Sequence, residues 1–347
     1  MTLNAPVPGS VSKTVFVVAL LVTAGVAVAG TSVVFSLLSK SPGHTTVVDD
    51  LGRKVDAPIN ASRIVVLAPS IMDIVYRLGL RDRVVGIGCT VDEEGGILNE
   101  YTPNQTSEWG LSPSICIPDF PELDTEAVAL LEPNLVLATT ITSETAVDDL
   151  TSTYGIPVVV LAPSTLEGIV GDVSLVAKLF PGAATAATSL EAVLEGTLAS
   201  AAEFDSNLSS NGTAIPSVLV TYYFFGGEYY TFGPGTFGQS LVDLAGGSSI
   251  SSGVPLEYAG INASAVLLEQ PSVILYGTSW NDPYIVSDET PSYWNASAPS
   301  WDALNGTKVP IDVTLITEAD PTMILTLPWL QYYLHPTLVA KPTGPLP

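Results

Sequence analysis

Glu126-Ala127-Val128-Ala129-Leu130-Leu131-Glu132-Pro133-Asn134-Leu135-Val136-Leu137-Ala138 changes character in its middle. The first half is predicted to be a helix over 124–131, started by Asp124 or Thr125 as cap and stopped ahead of Pro133. The second half, 135–138, is a short apolar run bounded by turn residues, which reads as a strand. The same alternation continues on both sides. Downstream, 143–154 is predicted as a helix and 157–161 as a strand. Upstream, 64–67 is a β-branched strand broken by Pro69-Ser70, followed by a helix over 71–78 with Ser70 as its cap and Gly79 as its stop. A strand over 84–87 comes next. Strands alternating with helices imply a parallel sheet with crossover helices.

Further out, 45–48 and 54–55 flank Asp49-Asp50-Leu51-Gly52-Arg53, a hairpin that opens the folded part. A helix over 166–180 ends at Pro181-Gly182, and 183–204 is Ala-rich with almost no breakers, predicting one long helix. Alternation then resumes with a strand over 217–221, a helix over 237–245 stopped by Gly246-Gly247, a strand over 273–276 and a closing helix over 325–334. The expected fold class is α/β, two Rossmann-like lobes joined by one long backbone helix. The expected division is 1–40 membrane segment and flanks, 41–182 first lobe, 183–206 backbone helix and 207–347 second lobe. A stiff helix between lobes allows only small closure.

Composition bounds the partners. With 35 acidic and 11 basic residues the chain has a formal charge of -24, which argues against nucleic acid. The bases are unevenly placed. Arg53, Lys54, Arg63, Arg77, Arg81 and Arg83 cluster early, and from Val84 to Val309 only Lys178 and Lys308 are basic. A site built from that stretch has no guanidinium fork for carboxylate or phosphate. Arg77 and Arg81 are the early arginines with a path to its rim.

Residues 15–38 form an uncharged run of 24, the length of a membrane-spanning helix, between Lys13 and Lys40. Ala27-Val28-Ala29 has the small-x-small form of a signal-peptidase site, but cleavage there would leave 31–38 still apolar. An uncleaved anchor is therefore favoured over a removed signal. Neither cysteine lies near this run, which excludes an N-terminal lipid anchor. Seven Asn-x-Ser/Thr triplets, at Asn60, Asn104, Asn207, Asn211, Asn262, Asn295 and Asn305, suit glycosylation of an exported domain. Outside the cell, Cys89 and Cys116 suit one disulfide; the other reading is two small core thiols.

Several stretches together resemble the helical-backbone solute-binding proteins of cobalamin, haem and ferric-siderophore ABC importers. Val48-Asp49-Asp50-Leu51-Gly52-Arg53-Lys54-Val55 is similar to the family's entry hairpin. Arg63-Ile64-Val65-Val66-Leu67-Ala68-Pro69-Ser70, Leu78-Gly79-Leu80 and Val84-Val85-Gly86 are similar to its first βαβ unit. The stretch 126–136 resembles its helix-strand signature. Gly233-Pro234-Gly235-Thr236-Phe237 through Leu244-Ala245-Gly246-Gly247 resembles its second-lobe helix, and Trp301–Gly306 with Leu334-His335-Pro336 its closing segment. The resemblance spans roughly residues 46 to 337; it rests on order and spacing, since each motif alone is weak.

The resemblance implies a ligand between the lobes, on loops at strand ends. By motif position these are Pro69-Ser70, Cys89-Thr90, Phe120, Thr139-Thr140, Tyr222-Tyr223 and Tyr258, with Trp280 and Tyr284 after a later strand. Aromatic faces suit a macrocycle or chelate. Two of these positions have plain structural alternatives: Ser70 as a helix cap, and Tyr222–Phe225 as a half-buried strand with two rings inward. The resemblance also implies an acid on each lobe facing the permease. Glu126 matches the first position; the second falls at Ser264, with Glu257 and Glu269 as the nearest acids.

No catalytic constellation is visible, since His44 and His335 lie at opposite ends of the chain without a recognisable partner, and the chain is expected not to be an enzyme. No metal site of its own and no resident cofactor are expected; metal would arrive wrapped in a chelator. A base-poor cleft favours a corrinoid or neutral hydroxamate-iron complex over haem or a tris-catecholate, because an anion desolvated there gains little Coulomb energy. The expected partners are a permease with its ATPase, this small chelate, and the membrane through the N-terminal helix. The expected state is a monomer at the cell surface. The alternative from another class is an anchored sensor presenting ligand to a signalling partner.

Overall fold

A computed structural model of the chain describes residues 43–91, 97–98, 103–119, 122–254, 256, 258–278, 294, 298, 300–312 and 314–344. The expected membrane segment, Phe120, Trp280, Tyr284 and Glu257 lie outside the described residues.

The entry hairpin pairs β1 (His44–Val48) with β2 (Lys54–Pro58). Its turn is pinned to the sheet beside it. Buried Asp49 accepts from the backbone N–H of Arg53 at 2.9 Å and of Val160 at 3.3 Å, and Asp50 accepts from Ala162 N–H at 2.6 Å. The first parallel sheet contains β3 (Ile64–Val66), β4 (Val84–Gly88), β5 (Cys116–Ile117), β6 (Leu135–Ala138) and β7 (Val158–Val160), in the order β5-β4-β3-β6-β7. Its helices are α1 (Pro69–Arg77), α2 (Thr125–Leu130), α3 (Glu144–Asp148) and α4 (Leu166–Leu179).

Helix α5 (Ala184–Ser210) leads to the second sheet. There β8 (Ser217–Thr221), β11 (Ser248–Ser249), β13 (Val273–Thr278) and β14 (Thr307–Asp312) run parallel in the order β11-β8-β13-β14. Between β8 and β13 lie an antiparallel ladder of β9 (Tyr223–Phe225), β10 (Glu228–Phe232) and β12 (Tyr258–Asn262), and the helices α6 (Phe237–Leu244) and α7 (Ala263–Glu269). Helices α8 (Pro321–Leu325) and α9 (Leu327–Leu334) follow β14.

The inner strands of both parallel sheets, such as β3, β6 and β8, are buried on two faces and read as apolar runs. The period of two sorts them between cores. Ile64 and Val66 enter a cluster shared with α1, α4, α5 and the second sheet, whereas Val65 and Leu67 pack against Ile117, Val128, Val136 and Val158. In the second sheet Val218 and Val220 join the shared cluster, and Leu219 faces Tyr229, Ile274, Trp294 and Trp301. Helix α5 buries Ala187, Leu194, Leu198, Ala201 and Leu208 as one stripe and leaves its other faces to solvent. It packs on α4 from the first half and on α6, α8 and α9 from the second. Each leucine on that stripe contributes about 1.5–3 kcal/mol of burial, so the strut is held by both halves at once.

Helix α8 also packs on α1 and α4. Here Arg77 bonds Asp73 at 2.7 Å and the Thr322 hydroxyl at 2.8 Å, and Thr322 donates to Asp73 at 3.1 Å. Asp320 caps α8 by accepting from Met323 N–H at 2.9 Å. Burial raises the Asp73 carboxyl, and burial followed by the nearby Asp73 charge raises Asp320 well above the usual range. The C-terminal turn is closed by buried His335, whose Nε2 donates to Gly246 O at 2.9 Å. A side chain at Gly246, where φ is +77°, would collide with Leu208 and His335. His335 is thus a structural tie.

Four elements depart from the sequence expectations. Ser70 is not a cap: Pro69, with no N–H to lose and a preset φ, starts the helix two residues earlier, with Ala68 in the capping position. The helix expected over 143–154 is α-helical only to Asp148, and Asp149–Thr153 widens to i→i+5 bonding. The long helix runs six residues past 204. The helix expected over 325–334 is α9, starting two residues later at Leu327, and the separate helix α8 precedes it, the break falling where Pro328 cannot donate back to residue 324.

Candidate ligand-binding site

In an open parallel sheet, ligands bind outside the carboxyl ends of the strands where the chain reverses its direction of build-up. The first sheet grows from β3 through β4 to β5, then restarts on the other side of β3 with β6 and β7. Its switch point lies between β3 and β6, whose carboxyl ends lead into Pro69-Ser70 and Thr139-Thr140. The second sheet grows from β8 to β11, then restarts beside β8 with β13 and β14. Its switch point lies between β8 and β13, whose carboxyl ends lead into Tyr222-Tyr223 and, beyond the described residues, towards Trp280. Pro69-Ser70 and Thr139-Thr140 thus lie at the switch point of the first sheet, and Tyr222-Tyr223 at that of the second, two candidate half-sites.

On the first half-site Ser70 is half-buried in the first turn of α1, and the Thr139 hydroxyl accepts from Ile141 N–H at 3.3 Å. Thr90 lies just past β4 in a short ladder, Thr90–Val91 with Ile97–Leu98. Beside it the disulfide Cys89–Cys116 ties β4 to β5, with Cα atoms 5.5 Å apart.

The second half-site is aromatic. Gly226 and Gly227, at φ +63° and +89°, make the two-residue turn between β9 and β10. Alternation then puts Phe224 and Tyr229 into the core, and Tyr223, Phe225, Tyr230 and Phe232 on the opposite face. Tyr258 pairs with Phe232 and shares that face. Tyr222 packs 5.0 Å from Phe232, Tyr258 meets the Phe232 edge at 5.9 Å, and Tyr223 lies 5.9 Å from Tyr230 and 6.2 Å from Phe225. Phe225 and Tyr258 are 64% and 60% exposed, so the face is open at these rings, while Phe232 is buried in the shared core and Tyr222 packs against it. Burial, and then the neighbouring Tyr258 and Tyr230, raise the Tyr222 hydroxyl above the usual tyrosine range, leaving it a neutral donor. Phe225 and Tyr230 escaped sequence reasoning. The signal was Gly-Gly between two alternating aromatic runs, a hairpin that puts every second ring on one side.

The charges lie elsewhere. Arg63 donates to the carbonyls of Leu131 and Glu132, Arg83 to those of Asn60 and Ala61, and Arg81 to that of Gly110 at 2.7 Å. Arg53 is held by Asp49, and Arg77 by Asp73 and Thr322. Arg63 and Arg83 immediately precede β3 and β4, at the amino edge of the sheet. Arg77 and Arg81, the early arginines with a path to the rim, both have their guanidiniums bonded to structural groups, a carboxylate and hydroxyl for Arg77 and backbone carbonyls for Arg81. Lys308 donates to Leu304 O at 2.6 Å. A depression of about 380 Å³ lined by His44, Arg53, Lys54 and Asp56 lies beside the hairpin, at the amino end of β7 rather than at a switch point. Among the described residues no cluster of three or more His, Cys, Asp or Glu side chains is placed to hold a metal.

The family model for periplasmic binding proteins matches residues 64–292, which is most of the chain. The chain belongs to the periplasmic binding protein family. A curated relative in Halobacterium salinarum, named cobalamin-binding protein, is 29% identical over 223 residues, covering 62% of this chain and 54% of its own length. The chain thus spans about half the length of the curated relatives it matches. Among solved structures, a periplasmic heme-binding protein from Pseudomonas aeruginosa superposes with a TM-score of 0.63 at 19% identity, covering 82% of this chain and 96% of that one. The molybdate periplasmic binding protein MolA of Haemophilus influenzae gives 0.64 at 17% identity, covering 84% and 91%. At these identities the structures share a fold with this periplasmic binding protein, and their differing ligands show that the fold alone does not select one.

Proposed function

We propose that this protein is the extracytoplasmic solute-binding component of an ABC importer. It captures an uncharged metal chelate, a corrinoid ahead of a neutral hydroxamate-iron complex, between two lobes and delivers it to a permease and its ATPase. The supporting observation is an open aromatic face at one switch point with no guanidinium left to serve either half-site. The segments 92–96, 99–102, 120–121 and 279–293 contain no Lys, Arg or His in the sequence, so no cation of the cleft loops changes this balance. Rings offer a broad apolar plane at small entropy cost, and neutral Tyr hydroxyls suit amide arms. The named relative from Halobacterium is consistent with this ligand class. In this reading Ser70, Thr90, Phe120 and Thr139 contact ligand from the lobe of 41–182. Tyr222, Tyr223, Tyr258 and Trp280 contact it from the lobe of 207–347, residues 183–206 are the strut, and Glu126, exposed in the first turn of α2, faces the permease. The protein works as a monomer held to the membrane by its N-terminal helix.

Calorimetric titration with cobalamin, a hydroxamate-iron complex, a catecholate-iron complex and haemin tests the reading. Saturable binding of cobalamin or hydroxamate-iron is expected, weakened about 10-fold or more by Tyr222→Ala or Tyr258→Ala, the cost of removing a ring stacked on ligand. Tight binding of haemin or catecholate-iron alone would overturn the charge argument.

A further inference from the structure

The asparagines of this chain are not placed at random. There are 11, and 66 of the 347 residues are Ser or Thr, so chance alone would put a hydroxyl two places after about two of them. Seven have one, none with Pro between. The described asparagine without one is Asn134, which has a structural task. Its half-buried Oδ1 accepts from Ser62 N–H at 3.1 Å, from the Ser62 hydroxyl at 2.8 Å and from Arg63 N–H at 3.1 Å. Asparagines within the triplets are exposed wherever their side chains are described, at Asn60, Asn207, Asn211, Asn262 and Asn305. The side chains of Asn104 and Asn295 lie outside the described residues.

All but Asn262 lie at the amino edges of the parallel sheets, the ends opposite the candidate half-sites. Asn60 stands just ahead of β3 at φ +57°, its N–H donating to Leu179 O at the end of α4. Asn207 and Asn211 lie one turn apart at the end of α5, ahead of β8. Asn211 opens a turn, with Gly212 at φ +62°. Asn207 is held in the helix, its carbonyl accepting from Asn211 N–H at 3.0 Å and its triplet centred on buried Leu208. Asn305 stands just ahead of β14, with Nδ2 donating to Gln270 Oε1 at 3.1 Å on the surface. Asn262 is placed otherwise. Its Oδ1 caps α7 by accepting from Ser264 N–H at 2.9 Å, and Ala263 N–H donates to Gly227 O at 2.9 Å, so it lies against the turn of the aromatic hairpin.

We propose that Asn60, Asn211 and Asn305 are attachment sites for N-linked sugars, transferred from a lipid-phosphate-linked sugar donor. In the transfer the side-chain Nδ2 bonds to the anomeric carbon of the sugar. The bond from that carbon to the phosphate oxygen breaks, its electron pair leaves with the lipid phosphate, and one amide proton passes to a base of the transferring enzyme. A glycan is bulky and solvated, so it suits an exposed turn away from any surface that must close on a ligand. The three sites meet that condition at the amino edges of both sheets. Sugar on Asn262 would stand beside the turn that carries Phe225, and sugar on Asn207 would crowd the one on Asn211. Transfer of this kind acts on exported chains, so the inference rests on the extracytoplasmic location proposed above.

The test uses the full-length protein purified from the cells that make it. Digestion and peptide mass spectrometry should find sugar mass on the peptides holding Asn60, Asn211 and Asn305. Asn60→Gln, Asn211→Gln and Asn305→Gln should each remove one sugar from the intact mass. Gln is strained at the positive φ of Asn60, so Ser62→Ala, Thr213→Ala and Thr307→Ala serve as second variants; each keeps the asparagine, removes the hydroxyl and should lose the same sugar. Cobalamin affinity should stay within about 2-fold in all six, since the substitutions are far from both half-sites. Bare peptides at the three sites, or sugar confined to Asn207 or Asn262, would overturn the inference. Protease added to intact cells separates the two readings. A protein that is cut but carries no sugar strikes this inference alone, whereas one protected inside the cell strikes the proposed function with it.

Discussion

Replacing Asp172 with Asn should stabilise this protein at neutral pH. Asp172 lies on α4, 2% exposed, and its carboxyl is pushed up to about 9, first by burial and then by the charge and hydrogen bond of Asp50. It is therefore neutral in the folded protein and donates to Asp50, which in turn accepts from Ala162 N–H at 2.6 Å. In the unfolded chain the same group has its ordinary value of 3.8 and is ionised at pH 7. A carboxyl whose folded value is raised contributes most below the unfolded value, and that contribution is lost as pH climbs from about 3.8 to about 9. From 3.8 to 7 is about 3.2 pH units, and at about 1.36 kcal/mol per unit the folded state forfeits about 4 kcal/mol. Asn keeps the shape and a donor for Asp50 but has no proton to lose on unfolding. Urea denaturation of wild type and D172N at fixed salt, from pH 4 to 9, measures the difference. It should be near zero at pH 4, grow by about 1.4 kcal/mol per unit through pH 5 to 8, and favour D172N. A difference that is flat with pH, or that favours wild type at pH 8, would show that Asp172 is ionised in the fold and refute the reasoning.

Two further outcomes follow from the ties described above. Removing both Cys89 and Cys116 by alanine should cost about 3.5 kcal/mol, the loop-closure entropy of the 27-residue separation, read as a lower urea midpoint that reductant no longer shifts. Thr322→Val removes the hydroxyl that links Arg77 to Asp73 across α1 and α8, and should cost about 1–3 kcal/mol; a loss under about 0.5 kcal/mol would mean that water replaces it.

Much of the fold was legible because its inner strands are buried on both faces and its helices carry caps. Asp124, Ser143 and Thr236 cap through their side chains, the first just ahead of the stretch 126–138. What escaped was polar or glycine-marked. The Tyr223–Phe225 run looked like one half-buried strand; the structure buries only Phe224 of its three rings, and a Gly-Gly turn folds a second aromatic run beside it. Strand β14 escaped because Pro310 and charged termini break its apolar pattern.

Sequence alone determined the α/β class, the family, the place of the long helix and the scarcity of cations, since these depend on period, order and composition. Tertiary structure decided which arginines are free, which rings face outward and which residues meet across the two halves. Whether Arg77 guards a ligand or holds α8 depends on Thr322, far along the chain, and contacts between distant residues leave no local period to read.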